Sequence, residues 1–343
     1  MSRRPIPAAA PRRPRIVALV AAVATLLLIG LIALGAAVFA VHGPGPEGEG
    51  TRTVVLRRGA GVSEIAGALD RAGVINSATA FSAYAQVTGA AARLRAGEYA
   101  FPPGESLAEV MARIRRGETV RHYVTVPEGV TSEMVVEILN RSPVLTGVAP
   151  VPPEGTLLPE TYQVTRGDDR AAVLQRMMDA RDRTLNRLWA DRARDLPFTT
   201  QQQAVTLASI VEKETGVAAE RPRVAAVYVN RLRIGMPLQA DPTVVYGVSG
   251  GRPLGRGLRR SELDADNPYN TYRNPGLPPG PIANPGAASL VAVMNPPRTD
   301  ELFFVADGTG GHVFAATLAE HNANVVRWRQ IEAQRAARGA VSP

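Results

Sequence analysis

The hydrophobic pattern begins with one uninterrupted apolar run. Residues 16–41 read IVALVAAVATLLLIGLIALGAAVFAV and contain no charged side chain. The run is longer than the roughly 20 residues that a helix needs to cross a bilayer. Five arginines precede it within residues 1–15, and two glutamates follow it within residues 42–50. The positive-inside rule therefore predicts a cytoplasmic tail at 1–15 and a transmembrane helix at 16–41. The alternative is a cleaved signal peptide, whose apolar core is usually shorter.

The next residues predict a small α+β module. Residues 42–50 have the composition of a flexible or extended spacer, and within 51–118 the stretch TVVLRR alternates like a strand. One helix is predicted from Ser63 to Arg71, with Ser63 as its cap, and another near residues 79–88. The stretch EYAF predicts a second strand, and SLAEVMARIRRG predicts an amphipathic helix. The order of strand, two helices and strand resembles a LysM-like sugar-binding module. A structural spacer is the alternative.

The rest of the chain predicts a connector and a larger α+β domain. The connector, 119–154, contains an alternating strand, a helix capped by Thr131 and the Pro-rich stretch VAPVPPEG. The larger domain, 155–337, contains an amphipathic helix from about Arg170 to Trp189, a hairpin joined by GTGG and a final helix that begins near His321. Residues 338–343 form a tail. The fold class is therefore α+β with one N-terminal transmembrane helix.

One predicted helix of the larger domain carries an unusual carboxylate. In TTQQQAVTLASIVEKETG, Thr199 and Gln202 have the spacing of a capping box, and Gly216 is a stop signal. At about 100° per residue, Glu214 falls on the apolar stripe, whereas Glu212 points away from it and is predicted to be solvated. The stripe is formed by Ala204, Leu207, Val211 and Glu214.

Burial gives Glu214 the property that a general acid needs. An ionised carboxylate is costly to desolvate, so an apolar environment raises its pKa. A raised pKa keeps a carboxyl protonated near neutral pH, as a glycosidase acid requires. The alternative interpretation is a glutamate whose charge is neutralised by a nearby arginine or by backbone groups.

The composition argues against several other kinds of chemistry. The formal net charge is +8, but the arginines are spread along the chain and form no dense stripe with aromatic residues, so nucleic acid is not predicted as a partner. There is no cysteine, which excludes disulfides and thiol catalysis. The four histidines form no HExxH pair, so neither a metal nor another cofactor is predicted.

Polar residues C-terminal to Glu214 are candidates for substrate binding. Asp241 precedes Pro242 and either caps a short helix or, with Gln239, binds sugar groups; Tyr246 follows in the same motif, LQADPTVVYG. The Pro- and Gly-rich loop NPYNTYRNPGLPPGPIANPG is predicted to form a rigid groove wall. Its candidate sugar contacts are Asn270, Thr271 and Tyr272, although the tyrosine of this set could equally be a packing residue.

His312 follows the GTGG turn of the predicted hairpin. No serine or cysteine motif accompanies this histidine, so a structural or substrate-facing role is favoured over a catalytic one.

Four long motifs follow one another along the chain: ASIVEKET, NRLRIGMPLQADPTVVYG, NTYRNPGLPPGPIANPG and FFVADGTGGHVFAATLAEHN. Together, over about residues 155–335, the chain resembles the endolytic murein transglycosylase family called MltG or YceG-like. In that family the second glutamate of the EKE triplet is the catalytic acid/base, and it falls on Glu214. The stretch GTLLPETY resembles a family segment that more often has Asp at the position of Glu160.

The resemblance implies cleavage between MurNAc and GlcNAc of peptidoglycan that leaves a 1,6-anhydro-MurNAc end. It also implies an inner-membrane protein with a periplasmic catalytic domain, and coupling to peptidoglycan synthases. Two rival interpretations remain. One is a hydrolase that pairs Glu214 with Asp241 or Glu160, because hydrolysis ordinarily uses two carboxylates. The other is a non-catalytic protein that binds or organises the wall.

Overall fold

The computed structural model describes residues 13–339, with side chains from residue 17 to residue 335. The predicted tails at 1–15 and 338–343 therefore lie outside the described residues except at their inner ends. The chain divides into two compact units, Met1–Arg121 and His122–Pro343. Both mix helices with short strands, so the fold is α+β, mostly helical and with small sheets.

The first helix, α1, covers Arg13–His42. Within it, Val17–His42 has a mean hydropathy of 2.9, and its side chains are exposed. The prediction of one helix long and apolar enough to cross a membrane is confirmed. By length and composition alone, such a helix suits an anchor or a signal sequence.

The spacer after α1 has no regular secondary structure, and its backbone is hydrogen-bonded to the small module. Gly45 N donates to Gly104 O at 3.1 Å, and Gly104 N donates to Pro46 O at the same distance. The His42 ring meets the Tyr84 ring edge-on at a centroid distance of 6.4 Å. The backbone after α1 is therefore fixed to the module that follows.

The remainder of the first unit is two strands with three α-helices and one 3-10 turn. Its elements are β1 (Arg52–Leu56), α2 (Val62–Arg71), α3 (Ala78–Val87), the 3-10 turn Ala90–Arg93, β2 (Gly97–Phe101) and α4 (Leu107–Arg116). The strands pair antiparallel with Val54 opposite Tyr99, and large apolar side chains from all three helices fill the core beneath them. The predicted cap Ser63 is wrong: α2 begins one residue earlier, and Gly61 occupies the N-cap.

The second unit contains the remaining elements. They are β3 (His122–Thr125), α5 (Ser132–Arg141), β4 (Leu145–Thr146), β5 (Thr161–Val164), β6 (Asp168–Asp169), α6 (Arg170–Ala190), α7 (Gln201–Glu214), the 3-10 turn Ala218–Glu220, α8 (Arg221–Arg233), α9 (Asp241–Ser249), α10 (Arg260–Leu263), α11 (Ala287–Met294), β7 (Phe303–Ala306), β8 (His312–Ala315) and α12 (Leu318–Gly339). Strands β3 and β5 pair antiparallel, β4 and β6 pair parallel, and β7 and β8 form the predicted hairpin. Most of the segment predicted as a connector thus belongs to this unit.

Helix α7 is the centre of the second unit. Every residue from Ala204 to Val211 is buried, because α8, α9 and α11 pack around the helix. Its polar residues are satisfied locally: Ser209 Oγ donates to Thr206 O at 2.7 Å and accepts Ile282 N–H at 3.0 Å. The prediction that only one face of this helix is buried was therefore wrong, since the segment Ala204–Val211 is buried on all sides.

Candidate active site

Glu214 is the last residue of α7, where the buried helix opens onto a cavity of about 270 Å³. The helix begins with a capping box formed by Thr200 and Gln203, one residue later than predicted. It ends at Glu214 with Thr215 as the C-cap, two residues before the predicted stop at Gly216. The cavity is lined by Glu214, Tyr228, Arg231, Leu238, Gln239, Asp241, Tyr272, Phe304 and His321.

Tyr228 holds one oxygen of the Glu214 carboxyl. This tyrosine lies on α8 and is 1% exposed, and its hydroxyl donates to Glu214 Oε1 at 2.5 Å. Phe304 of β7 packs edge-on against the Tyr228 ring at a centroid distance of 5.9 Å and helps to hold the phenol in place. Because Oε1 is engaged, Oε2 is the oxygen left to exchange a proton with a ligand.

The surroundings raise the pKa of Glu214 to about 7. Burial is the largest cause, because it disfavours the charged form. The Tyr228 hydrogen bond acts in the opposite direction, the charge of Asp241 raises the pKa further, and the charge of Arg231 lowers it. Burial also raises the pKa of Tyr228 well above its usual value, so the phenol remains a donor.

A second hydrogen-bonded pair faces the same cavity. Tyr272 OH donates to Asp241 Oδ1 at 2.6 Å, and burial raises the pKa of Tyr272. Asp241 is the first residue of α9, and the N-cap is Ala240 with no side-chain cap bond. The capping role considered for Asp241 is therefore wrong, and its carboxylate is directed to the Tyr272 hydroxyl instead.

The structure brings together some of the predicted site residues and separates others. Gln239, Asp241 and Tyr272 line the cavity with Glu214. Asn270 and Thr271 are completely or almost completely buried in the loop behind it. The Asn270 amide donates to the carbonyls of Leu263 and Ala265, both at 2.9 Å. Thr271 Oγ1 accepts Ala240 N–H at 3.0 Å. These two side chains shape the loop.

The other three predicted residues are not among those lining the cavity. The Tyr246 ring packs on Tyr269 at a centroid distance of 4.8 Å. Glu160 is exposed, and its backbone oxygen accepts Val126 N–H at 3.0 Å. His312 is paired with Glu220, with 2.7 Å between Nδ1 and Oε2, and its ring meets the Phe304 ring edge-on at a centroid distance of 5.3 Å.

Comparison with known proteins identifies the family of this chain. The sequence description of the YceG-like family matches residues 54–327, which include most of the small module as well as the larger domain. The chain belongs to the YceG-like family. The endolytic murein transglycosylase of Bacillus subtilis is 31% identical over 304 residues, which cover 79% of this chain and 83% of the relative.

Two further proteins are similar to this YceG-like chain. The endolytic murein transglycosylase of Streptococcus pneumoniae is 28% identical over 323 residues, and the match spans 80% of this chain and 57% of the relative. A crystal structure of a yceG-like protein from Listeria monocytogenes has 28% identity and a TM-score of 0.51, covering 80% of this chain and 99% of that one.

Glu212 of the YceG-like chain is not the solvated residue that was predicted. Its side chain is only 4% exposed. Oε1 accepts from Arg221 Nη2 at 3.2 Å, and Oε2 accepts Gly286 N–H at 2.9 Å. The prediction was wrong because the helix is surrounded by other elements on this side too. Glu212 fixes the end of α7 to α8 and to the loop before α11.

Five residues that line the cavity of this YceG-like protein were not predicted as site residues, and three of them are polar: Tyr228, Arg231 and His321. The first two lie in RPRVAAVYVNRLR, where the one feature that could indicate a site is an arginine within an apolar run. The sequence predicts His321 at the start of a helix, whereas α12 begins three residues earlier, at Leu318. No group of three or more His, Cys, Asp or Glu suited to a metal ion occurs among residues 17–335.

Proposed function

We propose that this protein is a membrane-anchored lytic transglycosylase that cleaves peptidoglycan glycan strands, with Glu214 as its single general acid/base. The observation that carries the proposal is a carboxyl with a pKa of about 7, held by a phenol at the edge of a polar cavity. Such a carboxyl can both give and take a proton near neutral pH. The relatives named endolytic murein transglycosylase supply the substrate class and the reaction.

The reaction needs one enzyme carboxyl. Protonated Glu214 gives its proton to the glycosidic oxygen as the bond from MurNAc C1 to that oxygen breaks, and the GlcNAc side leaves as an alcohol. The C6 hydroxyl of the same MurNAc then attacks C1 and gives its proton to the Glu214 carboxylate. A 1,6-anhydro ring forms, no water is consumed, and the carboxyl returns to its starting state.

The neighbouring residues fit this cycle. Tyr228 donates to Oε1 throughout, so the proton moves through Oε2. The carboxylate of Asp241 lies in the same cavity and can stabilise the positive charge that develops at C1. Its bond from Tyr272 keeps that oxygen oriented. These roles for Asp241 and Tyr272, together with Gln239 as a sugar contact, are part of the proposal.

The rest of the chain is assigned by the same proposal. Helix α1 anchors the protein with the N-terminus in the cytoplasm, so that both units lie on the outer side of the inner membrane. The LysM-like module, 51–118, contributes to glycan binding, and 155–337 is the catalytic domain. A position beside newly made strands accounts for internal cleavage and for coupling to peptidoglycan synthases. Failure to crosslink any synthase in membranes would count against that coupling.

A hydrolase would need a second carboxylate beside Glu214, and only one of the two carboxylates considered for that role remains a candidate. Glu160 is exposed and does not line the cavity, whereas Asp241 does. Hydrolysis would use Asp241 to activate water or to attack C1, and would leave a reducing end. The two functions are therefore separated by the chemistry of the product.

The test is mass spectrometry of glycan strands digested by the detergent-purified full-length protein and by its Glu214→Gln and Glu212→Gln variants. We expect 1,6-anhydro-MurNAc ends from the wild type and none from Glu214→Gln. Glu212→Gln, which removes an equivalent charge two residues away, retains the same product chemistry. Reducing ends would support the hydrolase. Undiminished cleavage by Glu214→Gln would remove this residue from the mechanism.

A further inference from the structure

The cavity contains a buried cation that the mechanism does not use. Arg231 is 8% exposed, and its guanidinium donates to three backbone carbonyls. Nε bonds Leu302 O at 2.7 Å, and Nη1 bonds Leu238 O at 2.7 Å and Pro237 O at 3.3 Å. No carboxylate of residues 17–335 forms an ion pair with it. Since these bonds occupy Nε and Nη1, Nη2 is the part of the guanidinium left for a ligand.

Gln239 lies next to this arginine in a strained backbone conformation. Its φ of 51° makes it the single non-glycine residue with positive φ among the described residues. That conformation costs free energy for a residue with a Cβ, and such outliers concentrate at ligand sites. The strain is held by Gln239 N–H, which donates to Thr271 O at 3.2 Å, while the side chain is exposed to the cavity. Its amide group forms no bond to the described protein.

His321 completes the group. Its ring stacks on Phe303 at a centroid distance of 5.1 Å, and its Nδ1 is buried with no hydrogen-bond partner in the described chain. A proton on Nδ1 would leave an orphaned donor, so the neutral ring carries its proton on Nε2. Burial, and then the charge of Arg231, lower the pKa of His321, which keeps the ring neutral. Nε2–H is the donor that the ring can offer to the cavity.

The charges of the cavity favour a neutral ligand group. The guanidinium of Arg231 and the carboxylate of Asp241 both line this cavity, and Glu214 is the proton donor of the proposed reaction. An additional anion would gain little net attraction there. A neutral amide fits better, because its carbonyl accepts from charged or polar N–H groups and its own N–H needs one acceptor.

We propose that Arg231, Gln239 and His321 form a recognition site for an acetamido group of the glycan. The acetamido oxygen accepts from Arg231 Nη2 and His321 Nε2–H, and the acetamido N–H donates to Gln239 Oε1. The proposal deepens the proposed function and rests on it. Because every sugar of an acetylated strand carries this group, the site positions any such sugar relative to Glu214. It thereby selects acetylated over deacetylated stretches of the wall.

The test is calorimetric binding to the full-length Glu214→Gln protein in detergent, which cannot cleave its ligand under the proposed mechanism. The probes are peptide-free glycan oligomers and the same oligomers after removal of the N-acetyl groups. We expect the acetylated oligomer to bind about 10- to 100-fold more tightly, the loss typical when a buried charged donor is left without its acceptor. Equal binding of both oligomers, or binding of neither, would overturn the proposal.

Two variants in the Glu214→Gln background locate the effect. His321→Phe keeps a ring to stack on Phe303 but removes the donor. Gln239→Gly removes the amide and relieves the strain at φ 51°, so it leaves the fold intact. Both are expected to lose most of the preference for the acetylated oligomer. Arg233→Lys, two residues beyond Arg231 and paired with Asp195 on the exposed side, is expected to retain it.

The variants also separate this proposal from the function on which it rests. Free amines on the deacetylated oligomer carry positive charge, but that effect is common to all the proteins compared. Retention of the full preference by His321→Phe and Gln239→Gly would therefore overturn the acetamido site alone, while wild-type protein still produced anhydro ends. Absence of anhydro ends from the wild type would instead overturn the transglycosylase function, whatever the binding ratios.

Discussion

Glu212 and Glu214 lie two residues apart on one helix and have different partners. Glu212 accepts from a guanidinium and a backbone N–H, which are the partners of a structural carboxylate. Glu214 accepts from the neutral phenol of Tyr228, and its second oxygen is left for the cavity. A phenol can orient a carboxyl without neutralising its charge. The partner, more than burial itself, therefore separates the catalytic candidate from the structural glutamate.

The phenol gives a first prediction, which concerns pH. With a pKa of about 7 for Glu214, activity should fall about tenfold per unit above pH 7 as the acid form is lost. The Tyr228 bond stabilises the carboxylate and so lowers this pKa. Tyr228→Phe should therefore shift the alkaline limb of the profile of kcat/KM against pH to higher pH. It should also lower the maximum rate, because the carboxyl is less well oriented.

A matched control for this change is Tyr99→Phe. Tyr99 is also fully buried, and its hydroxyl donates to two backbone carbonyls of the first unit, Arg95 O at 2.8 Å and Ile114 O at 3.2 Å. Its loss should destabilise the protein without moving the pH profile. A profile that shifts downward in Tyr228→Phe, or equally in both variants, would contradict the proposed role of Tyr228.

Individual residues were predictable only where one element decides their environment. Helical periodicity within α7 predicted the inward position of Glu214, but the same periodicity wrongly placed Glu212 in solvent. Tyr228, Arg231 and His321 reach the cavity because α8, β7 and α12 pack together, and no local pattern encodes that packing. The burial of Glu212 was missed for the same reason, since its partners come from α8 and from the loop before α11.

At the scale of elements, α7 shows how the chain fixes the position of its acid. The helix is closed at its N-terminus by the Thr200 and Gln203 capping box, is buried along Ala204–Val211, and ends at Glu214. Its orientation is therefore determined by packing along the segment Ala204–Val211. Loss of the cap should weaken the N-terminal turn without displacing the carboxyl at the other end.

A second prediction tests whether the cap of α7 affects stability without affecting the position of Glu214. Thr200→Ala removes the side chain that accepts Gln203 N–H at 3.2 Å, and should cost about 1 kcal/mol, or about 2 to 4 °C in Tm. Its kcat at a permissive temperature should stay at the wild-type value. Thr199→Ala, at the position that the sequence suggested as the cap, should change Tm much less. A larger loss of stability in Thr199→Ala would place the cap where the sequence pattern did.

Element types were predicted better than element boundaries. The α1 helix, the β7 and β8 hairpin and the cap Thr131 of α5 were all identified from periodicity, turn composition and capping spacing. The predicted starts of α2, α7 and α12 each differ from the observed starts by one to three residues. At the start of α7 the sequence offers two adjacent candidate caps, Thr199 and Thr200, and only backbone geometry chooses between them.

At the scale of the whole molecule, the family match from residue 54 to residue 327 spans parts of both units. The two units are therefore parts of one family architecture, although the long motifs that reveal the resemblance all lie in the second. The sequence placed a boundary near residue 118 because the strand and helix pattern of the module ends there. It could not show that the following strand, β3, pairs with β5 far along the chain.

A third prediction concerns the fate of α1. If this helix is an anchor, intact-mass measurement of protein purified from membranes should give the complete 36.4 kDa chain. Alkaline carbonate should not release it, whereas a variant that lacks residues 1–42 should be soluble. A mature protein that begins beyond residue 42 would identify α1 as a signal sequence instead.

The fixed spacer after α1 has a mechanical consequence. The 26 residues of Val17–His42 make a helix about 39 Å long at 1.5 Å per residue, whereas a hydrocarbon core is about 30 Å thick. A spanning helix of this length relieves the mismatch chiefly by tilting. Because Gly45 and Pro46 are bonded to Gly104, the module would lean with the helix. Bilayer thickness would then set the angle at which the module meets the wall.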